Sequence, residues 1–150
     1  MKGIDTPLEL IMTRELISLR VTDTLKKALE IFDNHSIHHI VVTDGSEGKL
    51  LGILSKADIL SLFIEPSTDA EELSLEKVKN KTVEDVMTAD PVFLDPTDTV
   101  GLAADLVLSN KFHSLPIVEE EKLVGIVTSH DLLIYAFEKI QPEDYSEYME

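Results

Sequence analysis

The sequence predicts an α/β or α+β protein built from two tandem β-α-β-β-α repeats. The first observation is that the chain matches itself at an offset of 75 residues, over 9–44 and 84–119. The second is that, within each repeat, apolar residues recur first at helical spacing and then in two short runs typical of strands. Because one repeat alone would bury little apolar surface, we expect the two copies to pack about a pseudo-two-fold axis and to form two equivalent clefts.

The first half of each repeat contains a short helix, a short strand and a longer helix. A short helix opens at Thr6-Pro7, with Pro7 at its first position, and its counterpart opens at Thr82. A short strand is expected next, at 16–19 and at 91–94. The longer helix is amphipathic, and its apolar positions are Leu25, Ala28, Leu29 and Phe32 in the first copy and Val100, Ala103, Ala104 and Val107 in the second.

Two further strands and a last helix complete each repeat. The strands are predicted at 40–43 and 50–54 in the first copy and at 115–118 and 123–127 in the second, and the last helices begin at Ser55 and Thr128. The second copy is two residues shorter between its strands, where a hairpin turn can change length without disturbing register.

The repeats divide the chain into four segments. These are a first repeat with its lead-in helix at 1–64, an acidic and partly helical linker at 65–81, a second repeat at 82–140, and an acidic tail at 141–150.

Composition and charge limit the classes of function. With 43% hydrophobic and 28% charged residues, the chain should fold. Its 29 acidic and 13 basic residues give a net charge of −16, which disfavours nucleic acid and anionic membranes as partners. There is no cysteine, the first residues form no apolar signal region, and no apolar run has the length of a membrane span. We therefore expect a cytoplasmic protein without membrane insertion.

A hydroxyl residue followed three positions later by an aspartate begins the last helix of each repeat. The two segments are GILSKAD at 52–58 and GIVTSHD at 125–131. A hydroxyl and backbone N–H groups at a helix start suit a phosphate, and a carboxylate one turn in can accept both hydroxyls of a ribose. The same spacing also describes a capping box, in which the side chains serve the helix itself. Both interpretations stand at this point.

Several linked motifs, each present in both copies, resemble the CBS domain family, which is named after cystathionine β-synthase and whose motifs pair as a Bateman module. The resemblance covers 9–64 and 84–138. It includes the entries IMT (11–13) and VMT (86–88), the stretch HSLPIV (113–118) and both Gly-x-x-Ser/Thr-x-x-Asp endings. It implies a paired module that holds AMP, ADP, ATP or S-adenosylmethionine in the clefts between its motifs.

The resemblance also implies roles for individual residues. By position, the hydroxyls of Ser55 and Thr128 would contact phosphate or ribose. The carboxylates of Asp58 and Asp131 would hold the ribose hydroxyls. The residues that would line the adenine pocket are Ile17, Val92, Ile40, Leu115 and Pro116. The first copy has Val41 where the second has Pro116, so the first site matches the family pattern less completely.

Basic side chains are expected to face the phosphate. His38 and His113 are repeat equivalents, and His130 lies inside the second motif. Lys56 is the one cation of the first motif. A metal site at His38-His39 is not expected, because adjacent residues on an extended segment point to opposite faces and no further ligand is spaced to complete a shell.

No catalytic constellation is evident, so we expect no enzyme activity and no catalytic cofactor. Thr128, His130 and Asp131 lie within four positions, too close in sequence to form a nucleophile, base and orienting acid in line. No glycine-rich phosphate loop is present.

The sequence thus favours a regulatory module that senses an adenosyl nucleotide and acts on a separate effector protein, with a homodimer expected from the resemblance. The alternative is a structural or dimerisation module with vestigial clefts. Which nucleotide binds, whether one or both clefts are occupied, the partner and the sign of regulation stay open.

Overall fold

A computed structural model of the chain describes residues 3–63, 79–110 and 112–139. The acidic tail at 141–150 and nearly all of the linker predicted at 65–81, including its helical part, lie outside these residues. Within the described residues the protein is a mixed α+β fold, as the sequence predicts. In the same residues, no helix combines the length and the apolar character that crossing a bilayer requires.

The helices and strands follow the predicted order, except that the second repeat has an unpredicted strand at Thr88–Ala89 and no named strand at 91–94. The elements of the first repeat are β1 (Ser18–Arg20), α1 (Leu25–Asn34), β2 (His39–Thr43), β3 (Leu50–Ser55) and α2 (Lys56–Leu60), with 3-10 turns at Leu8–Leu10 and Ser61–Phe63. Those of the second are α3 (Val83–Val86), β4 (Thr88–Ala89), α4 (Val100–Asn110), β5 (Ser114–Glu119), β6 (Lys122–Thr128) and α5 (Ser129–Lys139).

The compact units of the structure do not coincide with the sequence repeats. One unit, here the first-repeat unit, is Ile17–Pro91. The other, the second-repeat unit, contains the described residues up to Leu16 and from Val92 onward. The segment that precedes the first strand position of each repeat, here its lead-in (3–16 and 82–91), is therefore packed with the body of the other repeat. The segment boundaries predicted at 64 and 82 mark the ends of the sequence repeats. They do not reflect this exchange of lead-ins between the repeats.

A four-stranded sheet forms the first-repeat unit, in the order β1-β2-β3-β4. Strand β1 is parallel to β2, while β2 with β3 and β3 with β4 are antiparallel. The core lies on the face of the sheet that packs against α1. Its buried members are Leu19, Leu25, Ala28, Phe32, Ile40, Val42, Leu54, Ile59 and Val83.

The second-repeat unit contains the hairpin β5-β6 and an equivalent core. Leu94 bridges Ile117 in parallel, and Thr13 bridges Ile126 in antiparallel fashion. These bridges are the repeat equivalents of the β1-β2 and β3-β4 pairings, so both units share one topology. The buried core here is Leu8, Met12, Leu94, Val100, Ala103, Leu115, Ile117 and Val127.

The structure corrects three predicted boundaries. The first strand is Ser18–Arg20 and not 16–19, because pairing with β2 begins at Ser18. At 91–94 only Leu94 pairs, within a segment that starts with Pro91, which has no N–H for a ladder. Pro7 precedes the 3-10 turn as its N-cap and is not its first residue.

The lead-in segments dock on a turn that is repeated in both units. Val83 N–H donates to Asp23 O (2.9 Å), and Leu8 N–H donates to Asp98 O (2.8 Å). Val83 and Leu8 are both fully buried. Each lead-in therefore contributes a core residue and a backbone hydrogen bond to the repeat that it joins.

Candidate ligand-binding sites

Each unit brings together the polar residues that the sequence assigns to one site. In the first-repeat unit, β3 ends at Ser55 and α2 begins at Lys56. In the second-repeat unit, β6 ends at Thr128 and α5 begins at Ser129. The strand-to-helix junction carries the hydroxyl in both units.

The hydroxyl and carboxylate of the first site form a capping box. Ser55 N–H donates to Asp58 Oδ2 at 3.0 Å, and Asp58 N–H donates to Ser55 Oγ at 2.9 Å. Within the described residues, Asp58 Oδ1 takes no part in this arrangement. The cap therefore uses one carboxylate oxygen and leaves the other for a ligand. The two interpretations of the motif, cap and ligand group, are chemically compatible.

The second site has the same cap with an additional hydrogen bond. Thr128 N–H and Oγ1 donate to Asp131 Oδ2 at 2.9 and 3.0 Å, and Asp131 N–H donates to Thr128 Oγ1 at 3.1 Å. Asp131 is half-buried, as is Asp58. Both carboxylates are thus fixed in position by the backbone while remaining reachable from solvent.

Thr13 belongs to the second site, and sequence reasoning missed it. Its hydroxyl donates to Asp131 Oδ1 at 3.3 Å, with Oδ2 at 3.5 Å. Its backbone N–H donates to Ile126 O at 2.9 Å, which places the lead-in beside β6. The signal available in the sequence was the identity of Thr13 with Thr88 in the repeat alignment, but not the exchange of lead-ins between units.

Two predicted pocket residues are buried within the units. Ile40 and Leu115 are 1% and 0% exposed and belong to the helix-covered cores. Alternation along a strand turns both side chains towards the core. Pro116, next to Leu115 and so on the opposite face of β5, is also buried. Ile17 is half-buried and Val92 is 47% exposed.

Two histidines that the sequence assigns to the sites accept backbone hydrogen bonds from the first residues of α2 and α5. Lys56 N–H donates to His38 O at 2.9 Å, and Ser129 N–H donates to His113 O at 2.9 Å. The side chains of His38, His113 and His130 are exposed, as is that of Lys56. In the described part of the chain, no cluster of three histidine or acidic side chains is placed to hold a metal ion.

The glycine that opens each motif allows a close approach of the lead-in. A Cβ added at Gly125 would lie 2.6 Å from Met12 Sδ, and one added at Gly52 would lie 2.5 Å from Met87 Sδ. Real Cβ atoms keep about 3.5–4 Å from such neighbours. The glycine therefore positions the methionine of the exchanged lead-in next to the site strand.

The pKa values of three capping or turn carboxyls are lowered. For Asp85, hydrogen bonds from the Thr82 backbone N–H (2.9 Å) and hydroxyl (3.2 Å) lower the pKa, although desolvation opposes them. The Thr97 backbone N–H and hydroxyl lower the pKa of Asp95 in the same way. For Asp23, burial acts to raise the pKa but is outweighed by the Arg20 backbone N–H and by Lys27. These carboxylates stabilise turns and helix starts.

Comparison with known proteins gives consistent results. The CBS domain matches this chain twice, at residues 8–65 and 83–138. A CBS domain-containing protein of Dictyostelium discoideum is 29% identical over 134 residues, covering 88% of this chain and 92% of its own length. Inosine-5'-monophosphate dehydrogenase of Methanocaldococcus jannaschii is 30% identical over 124 residues, 82% of this chain, but the match spans only 22% of that enzyme.

Two solved structures with bound ligands share the fold. CBSX2 in complex with AMP has a TM-score of 0.77 at 25% identity and covers 90% of this chain and 99% of its own. The CBS domain pair of protein MJ0100, in complex with 5'-methylthioadenosine and S-adenosyl-L-methionine, has a TM-score of 0.73 at 25% identity and covers 90% and 98%. With two matched CBS domains over most of its length, the chain belongs to the CBS domain family.

Proposed function

We propose that the chain is a cytoplasmic regulatory module that binds an adenosyl nucleotide at Ser55 and Asp58, at Thr128 and Asp131, or at both sites, and signals to a separate effector protein. It is proposed to have no catalytic activity of its own. The match to the dehydrogenase relative spans only 22% of that enzyme, so its activity is not carried over to this chain.

The observation that carries the proposal is the geometry of Asp58. The capping box fixes the carboxylate through Oδ2, and within the described residues Oδ1 has no donor. A fixed, half-buried carboxylate oxygen can accept two hydroxyl donors from a ribose. The same capping box fixes Asp131 in the second unit, where Oδ1 accepts the longer hydrogen bond from Thr13.

The comparisons support an adenosyl ligand. Both ligand-bound neighbours hold compounds that share adenosine, namely AMP in one and 5'-methylthioadenosine with S-adenosyl-L-methionine in the other. What these ligands have in common is the adenine ring and the ribose, and not the phosphate. A site organised around a ribose-binding carboxylate fits that common part.

The charge of the chain favours ligands with few phosphates. A net charge of −16 opposes the approach of a polyphosphate unless cations lie nearby. Lys56 is exposed at the start of α2, while the corresponding position in α5 is Ser129. We expect AMP or ADP to bind better than metal-free ATP.

The proposed assembly is a homodimer. In the second-repeat unit, α4 and α5 expose apolar side chains, with Leu108 at 80%, Leu133 at 57% and Phe137 at 61%. Exposed apolar groups of this kind are typical of protein contact surfaces. Light scattering on a dilution series would give twice the mass of 16.7 kDa if this holds, and the monomer mass if it does not.

A thermal-shift screen tests the proposed function. The panel is AMP, ADP, ATP, S-adenosylmethionine and GTP, each at millimolar concentration. A ligand at a hundred times its Kd stabilises the folded state by about 2.7 kcal/mol, which for a chain of this size is a rise of several degrees. We expect such a rise with at least one adenosyl compound and not with GTP. No shift with any of them would leave a structural or dimerisation module.

A further inference from the structure

We propose that Thr13, on the exchanged lead-in segment, competes with the ribose of the bound nucleotide for Asp131 Oδ1. Binding at the second site then releases the lead-in hydroxyl. This inference rests on the proposed function, since it assigns Asp131 to a ribose. It makes Thr13 a regulatory residue at that site alone.

The two carboxylate oxygens of Asp131 are occupied unequally. Oδ2 accepts two short hydrogen bonds, from Thr128 N–H at 2.9 Å and Thr128 Oγ1 at 3.0 Å. A carboxylate oxygen offers about two lone-pair sites, so Oδ2 is filled. Among the described residues, the donor to Oδ1 is Thr13 Oγ1 at 3.3 Å. Any ribose at this aspartate must therefore bind through Oδ1.

A ribose diol requires both acceptor positions of Oδ1. Its two neighbouring hydroxyls each donate one hydrogen bond, and Thr13 already uses one of the two positions. The contact from Thr13 is longer than those from Thr128 and is exposed to solvent, so it is the weakest of the set. The Thr13 hydroxyl is the donor that a diol displaces.

Displacing the hydroxyl does not require the lead-in to unfold. Thr13 N–H and O remain paired with Ile126 O and N at 2.9 and 3.0 Å, and Met12 stays packed against Gly125. A rotation about χ1 of Thr13 is sufficient. The competition thus modestly lowers the affinity of the second site for the nucleotide. It also makes the orientation of the Thr13 side chain depend on whether this site is occupied.

The first-repeat unit provides a matched comparison. Thr88 is the repeat equivalent of Thr13 and pairs through its backbone with Ile53 in β3. In the described residues, the Thr88 hydroxyl does not donate to Asp58, whose Oδ1 has no donor. Removing the Thr88 hydroxyl should therefore leave binding unchanged.

The test is calorimetric titration of AMP into the wild-type chain, Thr13→Val, Thr13→Ser and Thr88→Val. Valine keeps the shape of threonine without its hydroxyl, and serine restores the hydroxyl. Loss of one net hydrogen bond predicts that Thr13→Val tightens AMP binding roughly three- to tenfold. Thr13→Ser and Thr88→Val should match the wild type. The gain should vanish when Thr13→Val is made in the Asp131→Ala chain.

The ribose supplies a second readout. For 2'-deoxy-AMP, which has one hydroxyl fewer to place on Oδ1, the gain from Thr13→Val should be smaller than for AMP. If Thr13→Val binds AMP as the wild type does, or more weakly, the competition proposal is overturned while the proposed function stands. If AMP binds to none of the four proteins, the titrations are repeated with the adenosyl compound that gives the largest thermal shift; if no adenosyl compound binds, the proposed function is overturned and the competition with it.

Discussion

Replacing Gly125 with alanine tests the close approach between the lead-in and β6. The added Cβ would lie 2.6 Å from Met12 Sδ, 2.9 Å from Met12 Cγ and 3.1 Å from Thr13 O. Because Met12 is only 9% exposed, its side chain cannot move away without disturbing the core. Overpacking of this kind costs about 1–3 kcal/mol. For a chain of about 150 residues, each kcal/mol lowers Tm by roughly 2–4 °C.

A double-mutant cycle shows whether Met12 is the cause of the loss. Met12→Ala alone should cost about 2–5 kcal/mol, because it leaves a cavity in the core. In that background, Gly125→Ala should cost clearly less than in the wild type, since the two Met12 contacts are gone and only the 3.1 Å contact with Thr13 O is left. Urea unfolding followed by circular dichroism of the four proteins gives the coupling energy.

Two results would refute this reasoning. One is a Gly125→Ala chain as stable as the wild type. The other is a loss of the same size with and without the Met12 side chain, which would locate the cost elsewhere. Gly52→Ala should also destabilise the chain, because the added Cβ would lie 2.9 Å from the backbone oxygen of Thr88 in addition to its contact with the partly buried Met87.

Three further predictions concern a turn, a helix cap and the two sites. Glu120 and Glu121 join β5 to β6 with positive φ values of 49° and 68°, so changing them to Asn and Gly should stabilise the chain by about 1 kcal/mol. Changing both to Gln removes the same charges without relieving the strain of the positive φ values. An equal rise in Tm for this Gln variant would disprove the backbone explanation. The pKa of Asp85 is lowered by the Thr82 N–H, so its contribution is present above the unfolded pKa and is lost as pH falls below about 4. Urea melts of Asp85→Asn should therefore differ from wild type at pH 7 and converge towards it at pH 3, whereas a constant difference would contradict the assignment. Asp58→Ala and Asp131→Ala should each weaken ligand binding at their own site by about 1.5–3 kcal/mol in titration calorimetry. Each variant also removes a capping box, and Asp131→Ala loses the Thr128 and Thr13 hydroxyl contacts as well, so stability is measured for both; a binding loss that merely follows stability would refute a direct ligand role.

The fold follows from the sequence because apolar spacing specifies burial within each repeat. The helical spacing of Leu25, Ala28 and Phe32 corresponds to a buried face of α1, and the paired runs around Ile40 and Leu54 correspond to β2 and β3. These patterns are local, and a repeat alignment doubles the evidence for each of them. The elements set by local patterning were therefore predictable.

The exchange of lead-ins was not predictable in this way. Leu8 and Val83 are buried with the opposite repeat, yet their local patterns would be the same if each packed on its own repeat. Which copy they join depends on tertiary packing. The same dependence on tertiary packing explains why the contact of Thr13 with Asp131 was not predicted.

The central claim is that the fixed carboxylates at Asp58 and Asp131 bind the ribose of an adenosyl nucleotide. The most direct measurement is calorimetric titration of AMP into the wild-type chain and into the double variant Asp58→Asn and Asp131→Asn, which keeps the side-chain size. The account predicts measurable AMP binding by the wild type and its loss, by tenfold or more in Kd, in the double variant. Equal affinities in the two proteins, both folded, would contradict it.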